Sequence, residues 1–201
     1  MARPQRDRDD DGLAASVATV PTPDGPFTII VGSAVLASGW TEDPAGLLAL
    51  IHPGLRPGRL EEASAGSVPG ALAQALSALE AYYDGELGAP ARVPVLQRSG
   101  PFRERAWEVL RGIGPGRLVS YAEYAALCGS PRAARAAAGA CAFNAAALFV
   151  PCHRVARADG SLGGFRYGPA TKESLLAREG RRAQGADAGR LADDLVQRVR
   201  A

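Results

Sequence analysis

Residues 120–155 read SYAEYAALCGSPRAARAAAGACAFNAAALFVPCHRV, and their pattern predicts the architecture of the second half of the chain. Ser120 and Glu123 have the spacing of a capping box, in which the serine caps a helix and the glutamate bonds back to the serine. The pattern predicts a short helix that ends at Gly129, because glycine readily adopts the left-handed conformation found after many helices.

A second helix is expected to follow at once. Ser130 is its predicted N-cap, Pro131 occupies its first turn, and the alanine-rich run continues to about Cys141. Arg132 and Arg135 are three residues apart and would share one face of this helix. Two short helices joined by a tight turn predict a helix-turn-helix unit, although most two-helix hairpins serve packing rather than DNA binding.

The first half of the chain predicts a small α+β unit, because short apolar runs between turn residues precede leucines at helical spacing. The overall fold class is therefore α+β. We expect a disordered tail at 1–16, a first domain at 17–97, a helical second domain at 98–180 and a tail at 181–201. The expected elements are strands at 17–20, 27–31 and 35–37, a helix at 44–51, a loop at 52–70, a helix at 71–83, a strand at 92–96 and a helix at 101–112.

Charge is distributed unevenly along the 201 residues. Residues 1–97 carry 6 arginines and 12 acidic residues, net −6, whereas residues 98–157 carry 9 arginines and 3 glutamates, net +6. This asymmetry favours an anionic partner for the basic half, although a solvated charged surface would give the same counts. No apolar run approaches the roughly 20 residues of a membrane span, and the N-terminus is unlike a signal peptide, so we expect a cytoplasmic protein.

The three cysteines, Cys128, Cys141 and Cys152, indicate neither a disulfide framework nor a metal site. Their number is odd, no CxxC pair is present, and the chain has only 2 histidines to complete a zinc site. The sharpest chemical feature is instead Cys152 followed by His153, because an imidazole can take the proton from a thiol and leave a nucleophilic thiolate. A Cys-His pair is weak evidence by itself, because most cysteines are buried and inert.

PCHRV, followed by ADGSLGGFRYG and KESLLAREG, resembles the O6-alkylguanine-DNA alkyltransferase family, the methylated-DNA–protein-cysteine S-methyltransferases. FRERAWEVL, SYAEYAALCG and PRAARAAAGA extend the resemblance over about residues 101–180, and PDGPFTIIV and YYDGEL carry it more loosely into the first half. The resemblance implies an RNase H-like first domain and a suicidal DNA-repair activity, in which an alkyl group passes from O6 of a flipped guanine to a cysteine that reacts once.

The same resemblance implies a role for each matching residue at the reaction centre. Cys152 would be the alkyl acceptor, and His153 would form its thiolate through a water molecule. Glu179 would orient His153, and a glutamate near a helix C-terminus should itself need a cationic partner. Asn144 would brace the turn before the active-site strand, and the Tyr121 hydroxyl would contact the leaving guanine.

For DNA binding, the resemblance implies a helix that enters the minor groove. Arg135 would fill the gap left by the extruded nucleotide, with Arg132, Ala134 and Tyr121 beside it. Alanine stands at positions 145 and 147, where the family commonly has proline, which leaves the pocket size open. The residues expected to line the substrate pocket are Val155, Phe165, Arg166, Gly164, Cys141 and Ala147.

The expected partner is double-stranded DNA containing O6-alkylguanine, with O4-alkylthymine as a second candidate lesion. We expect a monomer that needs no metal or organic cofactor and does not bind membranes. Three alternatives remain at this point. They are a non-catalytic protein that binds alkylated DNA, a cysteine hydrolase using Cys152, His153 and Glu179, and a plain DNA-binding regulator, which would have no need of PCHRV.

Overall fold

A computed structural model describes residues 14–63 and 70–183, the last three without their side chains, and has a mixed α+β architecture. A four-stranded sheet and two helices precede a mainly helical part that contains a two-stranded parallel pair. The strands are β1 Ala14–Thr22, β2 Gly25–Val31, β3 Val35–Gly39, β4 Arg59–Glu62, β5 Val119–Ser120 and β6 Val155–Ala156. The α-helices are α1 Pro44–Leu50, α2 Gly70–Tyr83, α3 Pro101–Gly112, α4 Tyr121–Leu127, α5 Ala134–Ala142 and α6 Pro169–Ala183.

The four-stranded sheet has the order β3-β2-β1-β4, with antiparallel neighbours except for the parallel pair β1 and β4. Neighbouring residues of a strand point to opposite sides of the sheet, and here both sides are covered. Ile29 belongs to the core that includes α2 and the helical part, whereas Ile30 packs with Leu47 of α1. The larger core therefore runs continuously from the sheet into the second half of the chain.

Two buried polar side chains fix the helices of the second half against each other. The Trp107 indole donates a hydrogen bond to the Ala140 carbonyl at 2.9 Å, which ties α3 to α5. The Tyr124 hydroxyl donates to the Ala106 carbonyl at 2.7 Å, which ties α4 to α3. Because both donors are buried, losing either bond would leave an unsatisfied polar group at a cost of about 1–3 kcal/mol.

The edge strand β3 connects the sheet to the segment that leads toward Cys152. The Ser38 amide donates to the Ala145 carbonyl at 2.8 Å, and the Ala147 amide donates to the Ser38 carbonyl at 3.1 Å. Within the same segment Leu148 has a φ of 72°, a left-handed conformation that costs a non-glycine residue roughly 1–2 kcal/mol. Residues 144–151, which connect α5 to Cys152 and pack against β3, form a strained segment.

Most of the predicted elements are confirmed. The β2–β3 hairpin, helices α1, α2 and α3, and the capping box of α4 lie where the sequence placed them. Gly129 has a φ of 79°, as expected after a helix. No helix within the described ranges is long and apolar enough to cross a membrane.

Several boundaries were wrong. Strand β1 begins at Ala14, inside the predicted tail at 1–16, because these residues pair with both β2 and β4. Helix α6 continues to Ala183, past the predicted boundary at 180. The rest of the predicted tails lies outside the described residues.

Two predictions in the sheet region were also wrong. The expected loop at 52–70 contains strand β4, which pairs in parallel with β1 at the edge of the sheet; its residues are mostly polar and exposed, so it lacks a strong apolar signal. In place of the expected strand at 92–96, a 3-10 helix at Ala89–Arg92 is followed by a single bridge between Val95 and Val35.

The start of α5 was predicted too early. The helix begins at Ala134, and its N-cap Ala133 makes no side-chain capping bond. The Ala133 amide instead closes a tight turn onto the Ser130 carbonyl at 2.9 Å, so that this turn is complete before the helix begins. Arg132 therefore lies before α5 and does not share a helical face with Arg135.

Candidate active site

Cys152 begins a 3-10 helix, Cys152–Arg154, between the strained segment and β6. Its side chain lines a cavity of about 520 Å³ that opens to solvent, so the thiol is accessible to a ligand. Residues from four parts of the chain meet there, namely the start of α4, the end of α5, the strained segment and the loop before α6. The lining residues are Tyr121, Ala138, Cys141, Ala142, Asn144, Ala147, Cys152, Gly164, Phe165, Arg166 and Tyr167.

Asn144 joins the thiol to the backbone around it. Its Nδ2 atom donates to the Val150 carbonyl at 2.8 Å and lies 3.3 Å from Sγ of Cys152. Burial raises the pKa of Cys152, against the opposing effects of the Asn144 hydrogen bond and the Lys172 charge. The resting side chain is therefore a thiol, and an acceptor for its proton is needed before it can act as a thiolate.

His153 is fully buried, and its two ring nitrogens have different surroundings. Nε2 lies 2.9 Å from Oε1 of Glu179, whereas Nδ1 has no hydrogen-bond partner among the described residues. Burial lowers the pKa of His153, against the opposing effect of the Glu179 hydrogen bond, so the imidazole is neutral near pH 7. With its single proton on Nε2 facing the carboxylate, Nδ1 retains a free lone pair that can accept a proton.

Glu179 is the centre of a buried polar network. Arg154 donates to both of its carboxylate oxygens, at 2.9 and 2.7 Å, and the Tyr82 hydroxyl donates to Oε1 at 3.2 Å. Burial alone would raise the pKa of Glu179, but the hydrogen bonds from His153 and Arg154, and the positive charges of these two groups in the acidic range where Glu179 titrates, lower it to about 2. Because His153 is neutral near pH 7, the permanent positive charge opposite Glu179 belongs to Arg154. This arginine is the cationic partner that the sequence led us to expect.

Lys172 connects strand β6 to the loop that follows it, residues 157–168, which lines part of the cavity. Its ammonium group donates to the Val155 carbonyl at 2.6 Å and to the Leu162 carbonyl, and the residue is only 1% exposed. Burial lowers its pKa, whereas a negative charge on Cys152 or Cys141 would raise it. The lysine therefore supports the loop that supplies the cavity residues Gly164 to Tyr167.

The structure brings together nearly all residues predicted for the pocket. Tyr121 lines the cavity, and burial raises the pKa of its hydroxyl, which keeps the phenol protonated. Val155 is the exception, because its side chain is fully buried in the core and its carbonyl is engaged by Lys172. Arg132 and Arg135 are exposed, and Ala134 lies at the first position of α5.

Sequence reasoning missed several residues that support the site. Lys172 is the only lysine in a chain that otherwise uses arginine, a signal that could have identified it. Tyr82 had no local signal, because its contact with Glu179 spans 97 positions. Gln97 is similar, since its amide bonds both the Asn144 side chain and the Ala145 amide. Within the described residues, no group of His, Cys, Asp and Glu side chains is arranged to hold a metal ion.

Comparison with known proteins gives a consistent result. The family model described as "6-O-methylguanine DNA methyltransferase, DNA binding domain" matches residues 101–181. The methylated-DNA–protein-cysteine methyltransferase of Mycobacterium bovis is 35% identical over 165 residues, which cover 82% of this chain and 92% of that protein. Against other curated relatives the match is partial, since the chain spans 25% of the Escherichia coli Ada protein and 57% of the rat methyltransferase.

Solved structures agree with this match. A crystal structure of the Mycobacterium tuberculosis O6-methylguanine methyltransferase aligns with a TM-score of 0.65 at 31% identity, covering 87% of this chain and 95% of that one. A structure of the same organism's OGT in complex with DNA aligns with a TM-score of 0.66 at 30% identity, covering 83% and 94%. The chain therefore belongs to the methylated-DNA–protein-cysteine methyltransferase family.

Proposed function

We propose that this protein repairs DNA by flipping O6-alkylguanine out of the duplex and transferring the alkyl group irreversibly to Cys152. The observation that carries this proposal is a cysteine lining an open cavity directly before a buried histidine with an unused ring nitrogen. The known relatives support it, because they carry the name methylated-DNA–protein-cysteine methyltransferase. No metal or organic cofactor takes part in the proposed reaction.

The first step moves the thiol proton. A water molecule between Sγ of Cys152 and Nδ1 of His153 would carry the proton to the neutral imidazole, as the free lone pair of Nδ1 allows. Glu179 then stabilises the imidazolium through Nε2, in the way that a carboxylate orients histidine in other relays. Asn144 donates to the sulfur and thereby stabilises the developing thiolate.

The second step is a single displacement. The Cys152 sulfur attacks the alkyl carbon, an S–C bond forms, and the C–O6 bond breaks with its electron pair left on guanine. The proton originally on the thiol returns through His153 to the guanine, so a neutral base is released. The protonated Tyr121 hydroxyl would donate to the guanine as the charge develops. A thioether offers no easy leaving group, so each molecule acts once.

We also propose how the DNA is bound. Helices α4 and α5 would act as a helix-turn-helix placed in the minor groove, and the exposed Arg135 would fill the gap left by the extruded nucleotide. Arg132, in the turn before α5, and Ala134, at its first position, would lie against the DNA backbone. The second domain, 98–180, would hold the DNA and the reaction centre, and the first, 17–97, would be an RNase H-like support. The preferred partner is duplex DNA with O6-alkylguanine, and O4-alkylthymine is a second candidate lesion.

A mass-spectrometric experiment tests the transfer. The protein is incubated with an oligonucleotide duplex carrying O6-methylguanine, and its proteolytic peptides are weighed. We expect the peptide containing Cys152 to gain the mass of one CH2 group, in an amount that stops at one equivalent of protein. Cys152→Ala should bind the DNA but give no adduct. Cys128→Ala is the matched control, because Cys128 is buried and lies outside the cavity lining.

The outcome separates the candidate functions. Tight binding without an adduct would identify a protein that only marks the lesion, and repeated turnover of an ester or amide would identify a hydrolase. Either result contradicts the proposed transfer. An adduct on Cys141 in place of Cys152 would contradict the assignment of the acceptor, since both thiols line the cavity.

A further inference from the structure

Strand β3 holds two parts of the cavity lining in place. The Ser38 hydroxyl donates to the Ala147 carbonyl at 2.8 Å, and the Ser38 carbonyl accepts hydrogen bonds from the Ala147 amide and from the Tyr167 hydroxyl, both at 3.1 Å. Ala147 and Tyr167 both line the cavity that contains Cys152. The edge of the sheet therefore fixes the distance between two lining residues, although β3 contributes no lining residue itself.

Gly39, the last residue of β3, leaves the space that Tyr167 occupies. A Cβ atom at this position would lie 1.9 Å from the Tyr167 hydroxyl oxygen and 2.1 Å from its Cζ atom, far inside van der Waals contact. The backbone of Gly39 is not in the left-handed region, so its conformation alone would accept alanine. The glycine is thus required by the tyrosine ring and not by a turn.

Two aromatic neighbours hold the ring in this position. The Trp40 ring centroid lies 5.6 Å from that of Tyr167, and the Phe165 centroid lies 5.5 Å away, both in edge-to-face arrangements. Such pairs contribute about 0.5–1.5 kcal/mol each beyond the area that they bury. A ring fixed by β3 on one side and by two aromatic rings has little freedom to move away from a large ligand.

We propose that Gly39 is a specificity-determining position: it leaves room for Tyr167 to form a fixed wall of the cavity, and the position of this wall sets the size of the alkyl group that reaches Cys152. This inference rests on the proposed alkyl transfer and extends it to the substrate class, small alkyl adducts in preference to aromatic ones. An alanine at position 39 would displace the Tyr167 ring from its present position. Because Tyr167 lines the cavity, we expect the displaced ring to enter the space for the alkyl group.

The test compares transfer rates from two duplexes of one sequence, carrying O6-methylguanine or O6-benzylguanine, with the adduct measured by mass. We expect Tyr167→Ala to raise the benzyl-to-methyl rate ratio and Gly39→Ala to lower it, each about tenfold, the scale on which pocket volume discriminates substrates. In the double variant the effect of Gly39→Ala should vanish, because the side chain that it displaces is gone. Tyr167→Phe, which keeps the ring, should leave the ratio nearly unchanged.

Gly88→Ala is the matched control, because a Cβ atom there meets nothing within 4 Å and the backbone φ of −85° suits alanine. The inference is overturned if Gly39→Ala shifts the ratio no more than Gly88→Ala, or if its effect persists when Tyr167 is alanine. Should Gly39→Ala fail to fold, an unchanged ratio in Tyr167→Ala overturns it alone. Absence of any adduct in the unmodified protein would instead refute the proposed transfer itself.

Discussion

Two buried carboxylate networks lie side by side between α2 and α6, and they differ in one component. In the first, Glu179 accepts hydrogen bonds from Tyr82, Arg154 and His153. In the second, Asp24 accepts from Tyr83 at 2.9 Å and from Arg178 at 3.1 Å, and the Trp40 indole donates to the Tyr83 hydroxyl. The partners are consecutive in sequence, since Tyr82 and Tyr83 end α2 while Arg178 and Glu179 follow each other in α6.

The difference lies in the histidine. Both networks pair a carboxylate with a tyrosine and an arginine, the composition expected of a buried ion pair that is satisfied by hydrogen bonds. Only the Glu179 network contains an imidazole, and that residue, His153, directly follows the cavity cysteine in the sequence. The Asp24 network joins the first hairpin to α6 and is structural. The comparison predicts that equivalent substitutions in the two networks will have different consequences.

The largest expected difference is between Glu179→Gln and Asp24→Asn. Glu179→Gln removes the carboxylate that orients His153 and leaves the Arg154 charge buried without its partner. We expect the rate of alkyl transfer to fall by more than about 100-fold, as when a histidine loses its orienting carboxylate. The free energy of unfolding should fall by about 3–5 kcal/mol, the cost of breaking a buried ion pair. Single-turnover kinetics and urea unfolding measure the two effects.

Asp24→Asn is the matched control in the structural network. The carboxylate side chain is only 4% exposed, so we expect a loss of about 1–3 kcal/mol in the free energy of unfolding with an unchanged transfer rate for the folded protein. Equal loss of transfer in both variants would mean that the two networks act only on stability. Such a result would remove the distinction between them.

The pH dependence of the free energy of unfolding also tests the Glu179 network. The pKa of Glu179 is lowered from 4.5 to about 2, so its ionised form stabilises the fold above pH 4.5 and this contribution is lost as the pH falls toward 2. The shift corresponds to about 3 kcal/mol. The difference in unfolding free energy between the unmodified protein and Glu179→Gln should therefore shrink across this window. A difference that stays constant would show that the carboxylate is not held ionised by the network.

The transfer rate should have its own pH profile. Because burial lowers the pKa of His153 below 6.5, the neutral imidazole persists into mildly acidic solution, and the acid limb should have its midpoint below pH 6.5. Burial raises the pKa of Cys152 above 9.0, so we expect no increase in rate between about pH 7 and 9. Transfer rates measured from acidic solution to about pH 9 test both expectations. A midpoint above 6.5 would mean that His153 is charged in the resting protein.

The residues of the proposed reaction centre were easier to select from the sequence than the residues that support them, for a physical reason. Cys152, His153 and the α4 capping box depend on local spacing, which a sequence shows directly. Glu179 could be placed only through the resemblance to a family, because nothing local distinguishes it from a solvated helix end. Its need for a cation was nevertheless predictable from its position near a helix C-terminus, and Arg154 meets that need.

Contacts between distant segments could not be predicted in this way. The contact of Tyr167 with Gly39 is an example, because it joins residues that are separated by more than half of the chain. Strand β4 was missed because its charged residues pair at an edge, where the apolar alternation used to recognise strands is weak. The start of α5 was misplaced because good capping residues occur at Ser130 and Pro131, while the backbone uses them in a turn.

The smallest expected effect distinguishes the two adjacent tyrosines of α2. Tyr82→Phe removes one donor from Glu179, which leaves the carboxylate more basic and should raise the pKa of His153. The acid limb of the transfer rate should then move to higher pH, with the rate at neutral pH changed by only a few-fold. Tyr83→Phe removes the equivalent bond to Asp24 and also the acceptor of the Trp40 indole, so it should cost a larger free energy of unfolding, about 1–3 kcal/mol, without moving the acid limb. Because both variants lose a hydroxyl from the same helix end, a shift shared by both would indicate a general loosening of α2 and would refute a positioning role for Tyr82. A shift confined to Tyr82→Phe would mean that the sheet half of the molecule contributes to the chemistry through the tuning of one imidazole.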